Sequence, residues 1–431
     1  MPAEPRASAF RVRGGAPLEG TVALAGAKNS VLKLMAAALL ADGEVRLGAV
    51  PDITDVPVMA EVLTGLGVRV TRDAAAERLA LEVVDTAPTT PPRDAVTRIR
   101  ASVACLGPLV ARRGEARLAL PGGDRIGARS IDLHLAGLVA MGAEVEELPG
   151  EVRVRAEALR GARITLDFPS VGATENLVMA ATLARGRTVL ENAAREPEIA
   201  DLCGMLVAMG ARIDGIGGPT LVVEGVERLG GTGWETCPDR IEAGTYLIAG
   251  ALTGGRVRVE RVRAGDLTLP LRKLRDAGAE VLVEDDAVTV AGSRDGLRPV
   301  DVVTLPYPGF PTDLQPQMMV LLTQADGVSR CTENVFESRF SFVEQLRTMG
   351  ADVVVDGHHA MLTGPTRLHG SVLSGLDVRA GAAGVMAGLV AEGETLVRDV
   401  HHVDRGYARF VERLQALGAD VARVPDATAR G

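Results

Sequence analysis

Lysine is almost missing from this chain: Lys28, Lys33 and Lys273 are the only three among 47 basic residues, the rest being arginine. Biased base composition in the source genome accounts for the imbalance in bulk. Lys28 nevertheless falls in a glycine-rich turn, where a compact ammonium is not equivalent to a guanidinium. Cysteine is scarce as well. Cys105, Cys203, Cys237 and Cys331 are far apart and form no CxxC, which argues against a disulfide framework or a thiolate metal site and predicts buried, reduced thiols. The six histidines include the doublets His358-His359 and His401-His402, but neither has acidic or thiol neighbours at ligand spacing, so no metal is expected. No run approaches the roughly 18–20 apolar residues of a membrane helix. The opening MPAEPRASAF has no apolar centre of the signal-peptide kind, and a cytoplasmic location without a membrane partner is the expectation. A net charge of −9 argues against a general nucleic-acid surface and leaves room only for a local basic channel. The phosphate-binding pattern GxxxxGK[ST] does not occur.

What is present is a period. An apolar residue, a glycine and a small residue precede an extended apolar stretch at Leu66-Gly67-Val68, Met141-Gly142-Ala143, Met209-Gly210-Ala211, Ala277-Gly278-Ala279, Met349-Gly350-Ala351 and Leu417-Gly418-Ala419. By subtraction the glycines lie 75, 68, 68, 72 and 68 residues apart. Helical patterns such as VERLQALGAD come before them and strand patterns such as VLVE after most, which predicts a helix closed by a left-handed glycine and followed at once by a strand. A fixed period means one βα unit copied, each copy burying its apolar face against its neighbours. A chain of 431 residues exceeds one ordinary core, so the six units divide into three plus three. Repeats of this length suit a closed, prism-like α/β arrangement, with a functional cleft expected between the two trios.

Four loops concentrate polar residues beside glycine or proline. In LAGAKNSVLK, Gly26 ends a strand, Lys28 and Asn29 open a helix and Ser30 is placed to cap it. Helix N–H groups plus an ammonium make an anion site, although taken alone these residues read first as a capped helix with a solvated lysine. In LPGGDRIGARSIDLH, two glycines precede Asp124, Arg125, Gly127 and Arg129, a mobile loop that is either a solvated hairpin or a lid. In LPYPGFPTDLQ the prolines fix the backbone and deliver Thr312 and Asp313, where Asp313 can cap a helix from Leu314 and also do chemistry. Lastly, Arg339, Arg379 and Arg405 each have an acid nearby, Glu337, Asp377 and Asp404, and local exposed ion pairs are the simplest reading. Taken together, several arginines and a lysine suit a small substrate with several negative charges, because phosphate and carboxylate accept paired N–H donors. Asp313 and Asp124 would then handle protons. The residues alone predict an enzyme for an anionic substrate, with no metal and no cofactor.

GGAPLEGTVALAGAKNS, RASVACLGPLVAR, LPGGDRIGAR, SVGATENLVMAATLA, ENAAREPEI, PDRIEAGTY, FPTDLQ, ENVFESRF and HHVDRGYARF follow one another along almost the whole chain. In that combination and order the sequence resembles the enolpyruvyl transferase family, on its nucleotide-sugar branch. The resemblance implies a two-domain inverse α/β barrel, or prism, of six repeated βαβ-type units joined by a double crossover. Residues 1–27 plus 240–431 would form one domain, and residues 28–239, with the lid loop 121–129, the other. It also implies transfer of the enolpyruvyl group of phosphoenolpyruvate to the 3-hydroxyl of UDP-N-acetylglucosamine with release of phosphate. That would be the committed step of peptidoglycan synthesis, and so bear on cell shape and the cell cycle. No cofactor is implied, the only partners are the two small-molecule substrates, and a monomer is compatible with it. Carried over by motif, Asp313 is the base or hydroxyl orienter and Asp124 the proton donor. Lys28, Arg129 and Arg405 hold phosphoenolpyruvate and the developing charge, and Arg100, Arg339 and Arg379 add anion contacts. Asn29 contacts the sugar, and Ser130, Ile131, Asp132, Leu133, Ser170, Val171 and Gly172 cradle uridine and diphosphate. Val335 joins the nucleotide-sugar set, while Asp377, Glu196 and Asp239 support the others.

The chain departs from the family pattern at three places. Asp124 stands where many members carry cysteine, the thiol that the epoxide fosfomycin alkylates, so resistance to it is implied. Ser130 replaces a common proline, and Ala104 replaces a larger residue that often faces the sugar's acetyl group. These two bear on the acceptor, and enolpyruvyl transfer to another uridine nucleotide such as UMP is the alternative they leave. A shikimate-phosphate acceptor fits the motifs less well. From another class, six βα repeats in two trios also describe a DNA sliding clamp, which has no use for LPGGDRIGAR or FPTD.

Overall fold

The computed structural model describes residues 8–124, 126–127 and 130–426. They divide into two compact units. The first takes in residues up to Leu24, Asp124 with Ile126 and Gly127, and everything from Pro238; the second takes in Ala25–Gly123 and residues 130–237.

Each unit is built from one repeated element order, strand–helix–strand–helix–strand–strand. One copy in the first unit runs Glu19–Ala23, Arg240–Leu252, Arg256–Glu260, Thr268–Asp276, Glu280–Val283 and Ala287–Ala291. Arg256–Glu260 lies parallel to Glu19–Ala23 and antiparallel to Ala287–Ala291. Among the described residues there are six such sheets, five of four strands and one of three. The period-2 alternation does its usual work: in RVRVE, Val257 and Val259 point inward and Arg256 outward.

The two helices of each copy differ in kind. The first is buried nearly all round, as expected of a helix without a polar face. Arg240–Leu252 and Gln315–Leu322 have every residue buried, and Val378–Val390 all but the last. Lys28–Ala37, Leu106–Arg113 and Val171–Ala181 are their counterparts in the second unit. The second helix is amphipathic; in TLPLRKLRD, Pro270, Leu271 and Leu274 are buried while Arg272 and Arg275 face water.

The six glycine phrases end these outer helices. Gly67, Gly142, Gly210, Gly278, Gly350 and Gly418 all have positive φ, between 76° and 109°, where a Cβ is penalised. In five copies the residue after the glycine donates its N–H back five residues, as Ala143 N to Leu138 O at 3.0 Å and Ala419 N to Leu414 O at 3.0 Å. That 6→1 bond, with the glycine's own 5→2 bond, is the Schellman closure.

Two strands arrive out of order. Ser8–Arg13 is inserted between Glu394–Arg398 and Asp420–Pro425, antiparallel to both, so the last copy in the first unit is completed by the beginning of the described chain. In the second unit, Leu229–Glu235 lies parallel to Ala41–Gly48 and completes the copy that opened near Lys28.

Candidate functional site

In the first unit, the three prolines of LPYPGFPTD do deliver Thr312 and Asp313 to a fixed place, but not as a helix cap. Thr312–Leu314 is a short 3-10 turn with no side-chain cap, and the helix starts at Gln315. Asp313 instead receives two guanidiniums. Arg339 Nη2 donates to its Oδ1 at 2.6 Å and Arg379 Nη2 to its Oδ2 at 3.2 Å, and Arg339 also donates to the Thr312 carbonyl at 3.3 and 3.2 Å. The arginine side chains are only 1% and 4% exposed, against 24% for Asp313, so the pairing takes place largely out of water and the carboxylate is the accessible member.

Arg379 lies in the first turn of the buried helix Val378–Val390. Asp377 is its N-cap, accepting from the Arg379 and Ala380 N–H groups at 2.7 and 3.0 Å. Asp239 caps Arg240–Leu252 in the same way, accepting from Ile241 and Glu242 N–H at 2.9 Å each. Burial alone would lower the Arg379 pKa, yet Tyr407, Asp313 and Asp239 around it hold it above the ordinary arginine range. Glu333, which the sequence reading overlooked, ties this region together. It accepts from Val335 and Phe336 N–H at 2.8 and 3.1 Å and from Thr312 Oγ1 at 3.0 Å.

The expectation of local ion pairs is overturned. Arg339 and Arg379 turn to Asp313 rather than to Glu337 and Asp377, and Asp404 pairs with Arg423 at 2.5 Å. Arg405 reaches Asp124, its Nη1 2.8 Å from Oδ1, with side chains 14% and 16% exposed. The loop is pinned beside that pair by Ser338 N–H donating to the Ile126 carbonyl at 3.1 Å. His402 adjoins them; its pKa is lowered by burial first and by His401 and Arg405, against the pull of Asp124. Arg125 and Arg129 lie outside the described residues.

In the second unit, Lys28 opens the buried helix, and its Nζ sits 3.1 Å from Asp55 Oδ2, the side chains 11% and 4% exposed. It is not a solvated lysine. Asn29 offers its carbonyl to Lys33 Nζ at 2.8 Å. Ser30 does not cap the helix; its Oγ donates to Asp201 Oδ2 at 2.5 Å. Asp201 also accepts from Trp234 Nε1 at 3.0 Å and Cys237 N–H at 3.1 Å. Replacing Asp201 with Ala therefore strands three donors. We expect a loss of about 2–4 kcal/mol, read as a lower urea midpoint in the fluorescence of Trp234, the single tryptophan. An unchanged midpoint would mean that Asp201 is not the hub.

Around the second loop of the same unit, Arg100 Nη2 donates to the Ser130 carbonyl at 3.4 Å, and Ser130 Oγ accepts from Asp132 N–H at 3.2 Å as the helix Asp132–Ala140 begins. Ile131 is buried and Leu133 half-buried. Ser170 caps Val171–Ala181 by accepting from Ala173 N–H at 3.3 Å. Gly172 lets this helix start approach the His134 ring, which a Cβ would meet at 3.1 Å. His134 Nδ1 faces the Asn176 amide nitrogen at 3.0 Å, and that amide also donates to Val103 O at 3.0 Å. Nδ1 is therefore the acceptor and the proton sits on Nε2.

Glu196 and Glu198 lie with Glu175, whose carboxyl pKa burial pushes up to about 7 against the pull of Lys33, 3.3 Å away. Between pH 4.5 and 7 the folded chain keeps a proton on Glu175 that the unfolded chain has lost, so this group takes stability away as pH rises. His134, lowered from 6.5 to about 4 chiefly by burial, acts in the opposite sense, since the folded state binds fewer protons between those values and gains stability with pH. Glu175→Gln removes only the falling term. Its second unit should gain stability more steeply than the wild type from pH 4.5 to 6.5, measured by Trp234 fluorescence in urea. Equal slopes would refute the assignment.

The residues sequence reasoning missed have no local signature: Asp55 and His134 lie near helix starts, Asp201 within a helix and Glu333 just after a strand. Their side-chain partners, in the same order Lys28, Asn176, Ser30 and Thr312, lie 27, 42, 171 and 21 residues away by subtraction, so they cannot be read from spacing. All four cysteines are free and buried. Burial pushes the Cys105 and Cys203 thiols up to about 12. Among the described residues no three His, Cys, Asp or Glu gather in a way that could hold a metal ion, and no helix is long and apolar enough to cross a membrane.

The sequence profile of EPSP synthase (3-phosphoshikimate 1-carboxyvinyltransferase) matches residues 12–414. The chain belongs to the EPSP synthase family of enolpyruvyl transferases. Within that family it is 55% identical to the UDP-N-acetylglucosamine 1-carboxyvinyltransferase of Nocardia farcinica, over 96% of this chain and 98% of the relative. It is 52% identical to the protein of the same name from Mycobacterium bovis, over 97% and 99%. Among solved structures, the enolpyruvyl transferase NikO from Streptomyces tendae superposes with a TM-score of 0.89 at 29% identity, covering 97% of this chain and 99% of that one. EPSP synthase from Acinetobacter baumannii gives 0.75 at 18% identity, over 97% and 100%. This mixed α/β fold is thus shared across the EPSP synthase family, and the clamp reading falls.

Proposed function

We propose that this chain is a UDP-N-acetylglucosamine 1-carboxyvinyltransferase, moving the enolpyruvyl group of phosphoenolpyruvate to the sugar 3-hydroxyl and releasing phosphate. The observation that carries the reading is 55% identity across 96% of the chain to a relative of that name, against 18% to an EPSP synthase of the same fold. Each unit is read as an inverse α/β barrel domain. The chemistry needs an acid at C3 of phosphoenolpyruvate, a base at the sugar hydroxyl and cations for carboxylate and phosphate. Asp124 supplies the proton to the C3 methylene, making C2 electrophilic. Asp313, held by two buried guanidiniums yet itself accessible, takes the hydroxyl proton as oxygen adds to C2. Loss of a methyl proton from the tetrahedral phospho-ketal then expels phosphate. Arg379, Arg339, Arg405, Arg129 and Lys28 balance the negative charge. Arg100, Asn29, Val335 and the segments 130–133 and 170–172 hold the nucleotide sugar, while Asp377, Asp239 and Glu196 support these groups. The enzyme so described works in the cytoplasm on the peptidoglycan route and is insensitive to fosfomycin.

Phosphate release from phosphoenolpyruvate, assayed with UDP-N-acetylglucosamine beside UMP, uridine and shikimate 3-phosphate, tests the reading. Turnover with the nucleotide sugar alone is expected. The second reading, another uridine nucleotide as acceptor, rests on Ser130 and Ala104 departing from the family pattern, and turnover with UMP instead would replace the first.

A further inference from the structure

The interior of the first unit holds a polar network behind Arg379 whose other members this chemistry does not use. Its three buried helices each contribute a member: Thr245 from Arg240–Leu252, Gln317 from Gln315–Leu322 and Arg379 from Val378–Val390. Tyr407, two residues past Arg405, is the fourth. All are essentially out of water, with Thr245 at 1%, Gln317 at 0%, Tyr407 at 2% and Arg379 at 4% exposure.

The hydrogens can be assigned. Thr245 Oγ1 donates to the Ile241 carbonyl at 2.9 Å, so Tyr407 Oη donates to Thr245 Oγ1 at 2.9 Å. Gln317 Nε2 gives one hydrogen to Thr245 Oγ1 at 3.1 Å and the other to Tyr407 Oη at 3.0 Å. The phenol is therefore held through its oxygen by two different helices. Its ring face carries the Arg379 guanidinium, whose Cζ lies 5.2 Å from the ring centroid. Asp313 takes the Nη2 edge of the same guanidinium at 3.2 Å. Among the described residues Arg379 Nη1 has no partner at full hydrogen-bond geometry, while the guanidinium as a whole also interacts with the Tyr407 hydroxyl. A buried cationic donor left so is costly and suits a site that an anionic ligand completes.

We propose that Tyr407 is a positioning residue: locked by Thr245 and Gln317, its ring sets the plane of Arg379 and so aims Nη1 at the anionic donor substrate. This rests on the assignment of Arg379 to phosphoenolpyruvate made above. A planar guanidinium held at one edge by a carboxylate can still rotate about that edge, and the ring beneath removes this freedom.

The test is steady-state kinetics of Tyr407→Leu, Tyr407→Phe and Thr245→Val, with KM for each substrate, kcat and thermal unfolding. Tyr407→Leu should raise KM for phosphoenolpyruvate about tenfold or more, with KM for the nucleotide sugar essentially unchanged. Tyr407→Phe keeps the ring face and should recover much of the loss. In an Arg379→Lys background, where there is no plane to set, Tyr407→Leu should add nothing. Equal changes in both KM values, or lowered thermal stability with an unmoved KM for phosphoenolpyruvate, would overturn the proposal. If Tyr407→Leu does not fold, Thr245→Val, which removes one of the two holds on the phenol and keeps the ring, reads the same KM ratio in a smaller change. A wild-type chain that turns over phosphoenolpyruvate while these variants match it overturns Tyr407 alone. A wild type inactive with every acceptor overturns the functional reading, and this proposal with it.

Discussion

Asp313→Asn is expected to lower kcat by about 10²–10⁴-fold, the range for removing a positioned acid or base, and Asp313→Ala by at least as much. Asp313 is the accessible end of a group whose two cationic partners are almost wholly buried, so it is the member able to meet a substrate hydroxyl. Removing its charge also leaves Arg339 and Arg379 facing each other without an anion between them, and breaking a buried pair costs about 3–5 kcal/mol; the partial exposure of Asp313 puts the expectation toward the lower end. Asp313→Glu separates the two effects. It restores the charge and most of the stability, but moves the carboxylate by a bond length, so kcat stays low. Phosphate-release kinetics beside thermal unfolding of the three variants decide the matter. A kcat for Asp313→Asn within a few-fold of the wild type would remove Asp313 from the role of base.

Asp124→Ala should be nearly inactive, by a similar factor of about 10²–10⁴, while Asp124→Cys should retain turnover and become irreversibly inactivated by fosfomycin. A carboxyl and a thiol can each deliver a proton to C3, but only the thiolate opens the epoxide. The wild type offers no substitute nucleophile, because its four cysteines are buried and burial raises their thiols well above neutrality. Intact-protein mass after incubation gives the answer: the wild type unshifted, the variant heavier by one adduct. An adduct on the wild type, or an active Asp124→Ala, would contradict the assignment.

How much of this was legible in the sequence depends on how far apart the interacting residues lie. The glycine phrases could be read because a helix cap is a local event, settled within about six residues, and all six end helices. Pairings of the arginines could not be read locally. Asp313 meets Arg339 and Arg379 from 26 and 66 residues away, and Arg405 meets Asp124 from 281 away, while the acids nearest in sequence were either capping helices or held elsewhere. The motif resemblance did identify the long-range members, because it carries tertiary information that spacing does not. Ser30 shows the reverse error: a serine near a helix start is a natural cap, yet Asp201 lies within reach and takes its hydroxyl instead.

The insertion of Ser8–Arg13 between two strands from the far end of the chain sets an order of events during synthesis. Every strand of the second unit finds its partners within residues 41–235, so that unit can complete while the ribosome is still at work. The earliest strand cannot. At about 5–20 residues per second it waits roughly 20–80 s for Glu394–Arg398 and Asp420–Pro425, with both of its hydrogen-bonding edges open to other chains throughout. Strands about 380 to 420 residues further along the chain thus shelter Ser8–Arg13, and a chain cut short before Asp420 would leave that strand with a permanently open edge, a ready target for aggregation or proteolysis.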